Sequence, residues 1–385
     1  MESRQRAWPR SRVWQPRREL EEDTMTSRAT CRLEASPGWP WLAVACVLLS
    51  AVGAADAADV IRTIDGDRLA VTVTGSTRDG LTVEDREGVE RPVSVAEIVD
   101  VQFEGEPQEL RTARNLLARG RSSDALEELA KIDADSLNGL TSLMKADLDY
   151  ITAASNAQAA LLDAGNRDRL RDAGREVLGF ASAHPQSFRY YRTRELVGDL
   201  LAASGDTAKA SEYYEQLAAG PPAMKIRAAT ARGRMLLAAG DHAGAVTAFE
   251  QAEAIDASDL ASLEQKRLAS LGKARGLGRL GKGSEAIAVV NELLNGANPE
   301  DAELLGPAYN ALGDAHRAAG RLQDAVLAYL TVDLVYNTNP SAHAEALAKL
   351  AEVWEEIGQP ERGREARSTL QATYPETSWA RTGAS

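Results

Sequence analysis

The 385-residue sequence predicts a mainly α fold, an α-α superhelix (solenoid) of stacked helical hairpins preceded by a small antiparallel β-barrel module. Three observations lead there. First, glycine recurs at positions 205, 240, 281, 320 and 358, at intervals of 35, 41, 39 and 38 residues. Each is followed five residues later by a small residue (Ala210, Ala245, Ala286, Ala325, Gly363) and after four more by Tyr214, Phe249, Val290, Tyr329 or Arg367. A period of this size belongs to helical hairpins that bury their apolar faces only by stacking. Second, aromatics make up 5% of the chain, so a core is built largely from Ala, Leu and Val, and that composition favours helix. Third, residues 58–104 alternate apolar and polar between Asp-Gly and Glu-Gly turns, which is strand and hairpin language.

The first 57 residues stand apart. Trp41–Ala55 is a 15-residue apolar run with Arg28 and Arg32 upstream and the small-x-small sequence Ala55-Asp56-Ala57 at its end. That is the form of a secretory signal peptide. A membrane anchor needs roughly 20 apolar residues. Met25 offers a second start that gives a leader of ordinary length. Cys46 lies inside the apolar run, whereas a lipid-attachment cysteine ends one. With the leader go Cys31 and Cys46, so the mature chain holds no thiol and no disulfide. Loss of its 8 basic and 7 acidic residues moves the formal charge from −13 to −14. Such acidity argues against nucleic acid as a general partner.

Five strand-like runs follow, around Val60-Ile61, Leu69–Val73, Leu81–Val83, Val93–Val95 and Ile98–Phe103. Pro92 lacks a donor, which puts its strand at an edge or a bulge. The segment Val95–Ile98 reads as a single tight turn before the last strand. Five short strands in this span predict a strongly bent barrel, and here the segment resembles SH3-like and Sm-like barrels, most closely the β-modules behind signal peptides in some secreted bacterial repeat proteins. Glu104–Pro107 reads as a linker. After it a first helical pair carries Ala113, Leu116, Gly120, Ala125 and Leu129, and a second spans roughly 136–185. The expected organisation is a leader over 1–57, a β-module over 58–104, helical repeats over 107–377 and a tail over 378–385.

The offsets have a packing reason. Where two antiparallel helices cross closely, only Gly or Ala leaves room. Gly198, Gly233, Ala274, Gly313 and Ala351 meet that need in the first helices, and Tyr214, Phe249, Val290 and Tyr329 then fill space toward the neighbouring hairpin. At these residues the chain resembles tetratricopeptide repeats. The best match is Leu312-Gly313, Gly320, Ala325, Tyr329, followed by Val197-Gly198, Leu201, Gly205, Ala210, Tyr214, Pro222. The final unit, Leu350-Ala351, Trp354, Gly358, Leu370, Pro375, departs from the pattern at Gly363 and Arg367, which suits a capping unit with a wet outer face. Its ending, Tyr374–Ala380, resembles the closing repeats of periplasmic division-coordinating and outer-membrane assembly proteins.

Chemistry-like motifs have plainer readings. Gly276–Ser284 contains G-x-G-x-x-G and nearly a phosphate loop, but Gly283 stands where Ser or Thr must follow Lys282, and the preceding residues are helical in period rather than a strand. His184, His242, His316 and His343 show no metal-ligand spacing, and His316 falls on an inner first-helix position. No cofactor or metal site and no catalytic constellation is legible, so the chain is expected not to be an enzyme.

The resemblance implies that first helices line a concave groove. In that register Arg192, Arg227, Arg234, Arg275, Arg279, Asn310 and Arg317 face it, while the terminal unit supplies Glu345, Glu352 and Glu355. A basic middle in an acidic chain points to partner segments bearing carboxylates or a free C-terminus. The function expected is an exported, non-catalytic scaffold of the periplasm or cell envelope that binds other proteins through peptide segments in the groove. The alternative is an assembly subunit that docks through its β-module. The register itself is testable: Ala325→Leu overpacks its hairpin and costs about 1–3 kcal/mol, and an unchanged urea midpoint counts against it.

Overall fold

A computed structural model describes residues 58–375 and 377–382; the leader expected over 1–57 lies outside the described residues. Asp65-Gly66, Asp79-Gly80 and Glu87-Gly88 each put glycine at positive φ, at 91°, 153° and 79°, and the chain reverses at all three. The strands between are β1 (Asp59–Thr63), β2 (Arg68–Thr77), β3 (Gly80–Glu84), β4 (Glu90–Ser94) and β5 (Ile98–Gln102). They form one antiparallel sheet in the order β4-β3-β2-β1-β5, with bulges at Arg62/Thr63 and Val73/Gly75. Pro92 sits in β4, an edge, where its missing N–H is tolerated. The tight turn before β5 is closed by Glu97 N–H donating to the Ser94 carbonyl at 2.9 Å.

The sheet does not close, and the expected barrel is corrected to an open five-stranded sheet whose edges are β4 and β5. A barrel covers its inner face with its own strands. Here Ile61, Val71, Val83, Val101 and Phe103 pack instead against Leu140, Met144 and Phe188 from the helical region. The helices supply the cover that closure would have supplied.

The helices follow in pairs. They are α1 (Gln108–Ala118) with α2 (Ser122–Leu129); the short α3 (Ala134–Gly139); α4 (Ser142–Leu162) with α5 (Arg167–Ala183); and α6 (Tyr190–Ala203) with α7 (Thr207–Ala218). Then come α8 (Pro222–Ala238) with α9 (His242–Glu253), α10 (Leu260–Arg279) with α11 (Gly283–Asn295), and α12 (Ala302–Ala318) with α13 (Leu322–Leu334). Last are α14 (Pro340–Glu356) with α15 (Pro360–Thr373) and the short α16 (Ser378–Thr382). Seven hairpins are thus present among the described residues, in a tetratricopeptide-like α-α solenoid. None of their helices is long and apolar enough to cross a membrane.

The turn glycines do what the period implied. Gly120, Gly205, Gly240, Gly281, Gly320 and Gly358 all have φ between 73° and 92°, and the residue after each donates its N–H five residues back, as Asp206 does to the Leu201 carbonyl at 2.9 Å. This left-handed stop ends the first helix. Asp206 and Asp241 then cap the next helix, accepting from the backbone N–H of Lys209 and Gly244. The crossing contact is also direct. A Cβ added at Gly198, Gly233 or Gly313 would lie 2.4, 2.5 or 2.3 Å from a ring carbon of Tyr214, Phe249 or Tyr329. Phe249 is pinned on its other side by Gly272 of the next hairpin, at 2.3 Å by the same measure. Ala325 is fully buried.

The same test disposes of the phosphate-loop pattern. Gly276 and Gly278 lie inside α10, and a Cβ on Gly283 would meet Ala319 N at 2.6 Å and Ala315 O at 2.8 Å. Gly283 is small because α12 presses on it.

Sheet and solenoid are joined by a buried ion network rather than by a free linker. Glu104 N–H donates to Asp59 Oδ1 at 2.8 Å, and Glu106 is 6% exposed. Arg114 in α1 donates bidentately to Glu106, at 2.7 and 3.1 Å, and through Nε to Asp147 of α4 at 2.9 Å. Arg189, at the start of α6, donates to the other Asp147 oxygen at 2.8 Å. Burial pushes the Asp147 carboxyl up, but the Arg189 and Arg114 charges outweigh it and hold it below the usual carboxylate range. Truncation of Asp147 leaves the largely buried Arg189 without its carboxylate and Arg114 with Glu106 alone. Asp147→Ala is therefore expected to cost about 3–5 kcal/mol in guanidinium unfolding, whereas a loss under about 1 kcal/mol would mean that the network is dispensable.

Candidate functional site

Most of the arginines expected on the first-helix faces meet carboxylates of the same chain. Glu195 of α6 is the acceptor for three of them: Arg192 at 3.5 Å, Arg234 at 3.0 Å, and Arg227 through Nε. Arg275 of α10 reaches past α12 to Glu345 of α14 at 2.8 Å. Arg317 of α12 donates to Glu352 at 2.6 Å and also to Glu356. Arg279 is exposed and has no ion-pair partner among the described residues. Asn310 has no exposed surface; its Nδ2 donates to the Ala342 carbonyl at 2.8 Å and its Oδ1 has no partner. It joins α12 to α14 and presents nothing to the groove, because the helices close over it.

The basic middle and the acidic terminal unit are therefore largely each other's counterions. Glu345 and Glu352 neutralise Arg275 and Arg317, and Glu355 receives Arg367 at 3.1 Å. Uncompensated positive charge is left toward the start of the groove. There Arg192, Arg227 and Arg234 face two carboxylates, Glu195 and Asp199. Arg192 is half exposed, while Arg227 is mostly enclosed.

That end of the groove is walled by the sheet. The turn between β4 and β5 places Val95 against Tyr191, Leu217, Met224 and Ala228, and Tyr191 Oη donates to Asp79 Oδ1 at 3.2 Å. Between the sheet and the N-terminal ends of α6, α8 and α10 two adjoining chambers remain, sharing Ile64, Ala96, Ala223 and Ala261; the inner one is lined by β5 and α6, the outer one by the strand ends and turns next to it. The inner chamber, about 180 Å³, is lined by Arg189, Arg192, Arg227 and Gln265 with Ile98, Val99 and Phe188, and by no carboxylate. The outer chamber, about 430 Å³, carries Asp65, Asp67, Glu97 and Asp259 with Arg91 as its cation. Val99 on edge strand β5 is 46% exposed. The cleft is thus polarised, cationic within and anionic at the mouth, beside a strand edge with unpaired backbone groups.

Of the residues expected to face the groove, Arg192 and Arg227 are brought into this cleft, Arg234 lies one step along α8, and Arg275, Arg279, Asn310 and Arg317 lie farther along the stack. Sequence reasoning missed Gln265, Val99 and the acidic mouth, since nothing local ties residues near 65, 97 and 259 to one another. His316 is packed as expected, 9% exposed, and burial followed by the Arg321 charge lowers its pKa. The other described pairings are structural in form: His184 with Asp149 at 3.0 Å, and His343 between Tyr374 and Asp333 at 2.8 Å each.

No protein-family model and no curated protein sequence matches this chain. Similar solved structures include a tetratricopeptide repeat protein from Parabacteroides merdae, 17% identical, covering 70% of this chain and 93% of that one, with a TM-score of 0.44. PilW, a widely conserved type IV pilus biogenesis factor, is 17% identical and covers 60% and 98%, with a TM-score of 0.38. A Rap protein complexed with Competence and Sporulation Factor is 13% identical and covers 70% and 76%, with a TM-score of 0.46. Likeness at this level carries nothing about what this chain binds.

The carboxylates of the site leave a pH signature. Burial, and then the charge of Glu195, push Asp199 up to about 6 despite Arg234 and a 2.8 Å hydrogen bond from Tyr214 Oη. A raised acid binds its proton more tightly in the folded state. Its stabilising contribution is complete below the ordinary aspartate value and is lost as pH rises through about 6. Asn keeps the acceptor for Tyr214 without the charge. Asp199→Asn is expected to raise stability at pH 7.5 by about 1–2 kcal/mol and to flatten the stability profile between pH 4 and about 6; parallel profiles for the two proteins would contradict the assignment.

Proposed function

We propose that this chain is a non-catalytic, exported interaction scaffold that holds an extended peptide segment of a partner protein in the cleft between β5 and the first-helix face. One observation carries the reading: two adjoining chambers of opposite charge beside an open strand edge. The inner chamber suits a carboxylate, from an Asp or Glu side chain or a free C-terminus, received by Arg192 with Arg227 behind it. The outer chamber suits a basic residue a few positions away, near Asp65, Asp67 and Glu97. Backbone pairing along β5 would give affinity and the two chambers would give sense of direction, the division of labour found in strand addition to a sheet edge. Export rests on the leader's apolar run and small-residue site, and it places the scaffold in the periplasm or cell envelope.

Docking through the β-module to a larger complex is the other reading. The apolar face of the module is already packed on Leu140, Met144 and Phe188, so such docking would have to use the outer face or the β4 edge. The cleft, with its two chambers of opposite charge, is the reading we favour.

Photoreactive side chains placed at Val99 and at Gln265 in the full chain test this in its native compartment. Both positions are expected to crosslink partner peptides, and Arg192→Glu is expected to lower the yield at least about tenfold while the protein keeps a cooperative melting transition. Crosslinks absent from both positions, or indifferent to Arg192→Glu, would overturn it.

A further inference from the structure

Helix α5 carries arginine at 167, 171 and 175, one turn apart, and glycine at 174. None of these is explained by the packing of the hairpin. Arg167 stands in the first turn, where the helix dipole disfavours a cation, and it has no ion-pair partner among the described residues. Arg171 bridges to Asp168 at 3.1 Å and Arg175 to Asp172, but both pairs are exposed, and exposed pairs of this kind are readily exchanged. Glycine inside a helix is unfavourable relative to alanine. At Gly198, Gly233 and Gly313 a ring occupies the place of the missing Cβ, whereas a Cβ at Gly174 would meet nothing within 4 Å. Gly139, Gly179 and Gly278 are equally open; Gly174 lines a cavity.

The cavity is a trough of about 460 Å³ between α5, α6 and α7, within the range of roughly 300–1,000 Å³ usual for binding sites. Its floor is Leu170, Val197 and Leu200, all buried, and its walls include Leu201, Tyr213 and the exposed Leu178. Every charged side chain that lines it is cationic: the three arginines along the α5 edge and Lys209 on α7, which pairs with Asp206 at 2.8 Å. Arg167 is the one of these four without a carboxylate partner among the described residues. The trough shares no lining residue with either chamber of the cleft, so it is a different surface.

We propose that this trough docks an amphipathic acidic helix of a protein partner. Its leucine-like residues at i, i+3, i+4 and i+7 would enter the trough, and carboxylates spaced four residues apart would face Arg167, Arg171 and Arg175. The spacing decides the class of ligand. Arginines four residues apart along α5 are about 6 Å apart on the axis, the same interval as carboxylates four apart on a second helix. A fatty acid carries one carboxylate and would leave the remaining arginines unanswered. Gly174 leaves the depression into which an apolar side chain of the docked helix fits.

The test uses the full chain and a fluorescein-labelled synthetic helix of about four turns with that leucine pattern and flanking Glu, beside a twin in which Lys replaces Glu. Fluorescence anisotropy is expected to show saturable binding of the acidic helix and at least about tenfold weaker binding of the twin. Gly174→Leu, whose Cβ meets nothing within 4 Å and whose side chain would occupy the trough, is expected to abolish binding while melting at or above the parent temperature; Arg171→Glu with Arg175→Glu is expected to weaken it at least about tenfold, which keeps the test open if the leucine variant does not fold. Arg192→Glu, in the cleft, is expected to leave it unchanged, so failure here and failure of the cleft are separable. Absence of saturable binding, equal affinity for the two helices, or indifference to Gly174→Leu would overturn the proposal, as would Gly174-dependent binding of fluorescent cis-parinarate with none of the acidic helix.

Discussion

One carboxylate sets where the sheet stands on the solenoid. Asp147 is enclosed on α4 with 1% of its side chain exposed, and it is answered by Arg114 from α1 and Arg189 from the start of α6. Arg114 is held in turn by both oxygens of Glu106, at the end of the sheet, and Arg189 lies over the rings of Tyr150 and Phe188. Apolar burial across the same seam, from Val101 and Phe103 to Met144 and Phe188, supplies a non-directional drive. It would tolerate a small slide of the sheet. Forked guanidinium–carboxylate geometry would not. The turn between β4 and β5 consequently lands beside the N-terminal ends of α6 and α8, and the cleft exists because it does.

What could be read from the sequence follows the range of the interactions involved. Turn glycines and the residues they serve are close in the chain. Gly198, Gly233 and Gly313 each meet a ring sixteen residues on, so their contacts repeat with the period and can be read from it. The phosphate-loop pattern fails on the same local grounds, and the contact of Gly283 with Ala315 and Ala319 gives the physical reason. Closure of the sheet is not legible, because it depends on what covers the apolar face, and Leu140, Met144 and Phe188 come from the helical region far along the chain. Nor was the Asp147 network legible: its partners stand 33 and 42 residues away, and single Arg and Asp residues at such separations look like any solvated face.

The groove arginines show the same boundary. Periodicity places Arg192, Arg227, Arg234, Arg275 and Arg317 on the first helices, which is an intrahelical matter. It does not reveal that Glu345 answers Arg275 seventy residues earlier, or that Glu195 gathers three arginines from two helices. A uniformly basic groove becomes a ladder of cross-helix ion pairs once the superhelix forms. Selectivity for a partner then depends on where that ladder is unbalanced rather than on total charge.

Balance is lost in two places, and for different reasons. In the cleft, the sheet brings its own acids to the mouth while α6 and α8 keep an excess of arginine within, so charge is separated along a path that an extended chain could follow. On α5, arginines recur at the helical period around an apolar floor, and a glycine there is left without a neighbour. Both surfaces carry a cost that the fold alone does not recover: a strand edge left open in the first case, and an unfilled helix interior with a cation in the first turn in the second. The stacking of hairpins explains Gly198, Gly233 and Gly313 completely through Tyr214, Phe249 and Tyr329. Stacking does not explain Gly174, and a ligand filling the trough that it lines accounts for it.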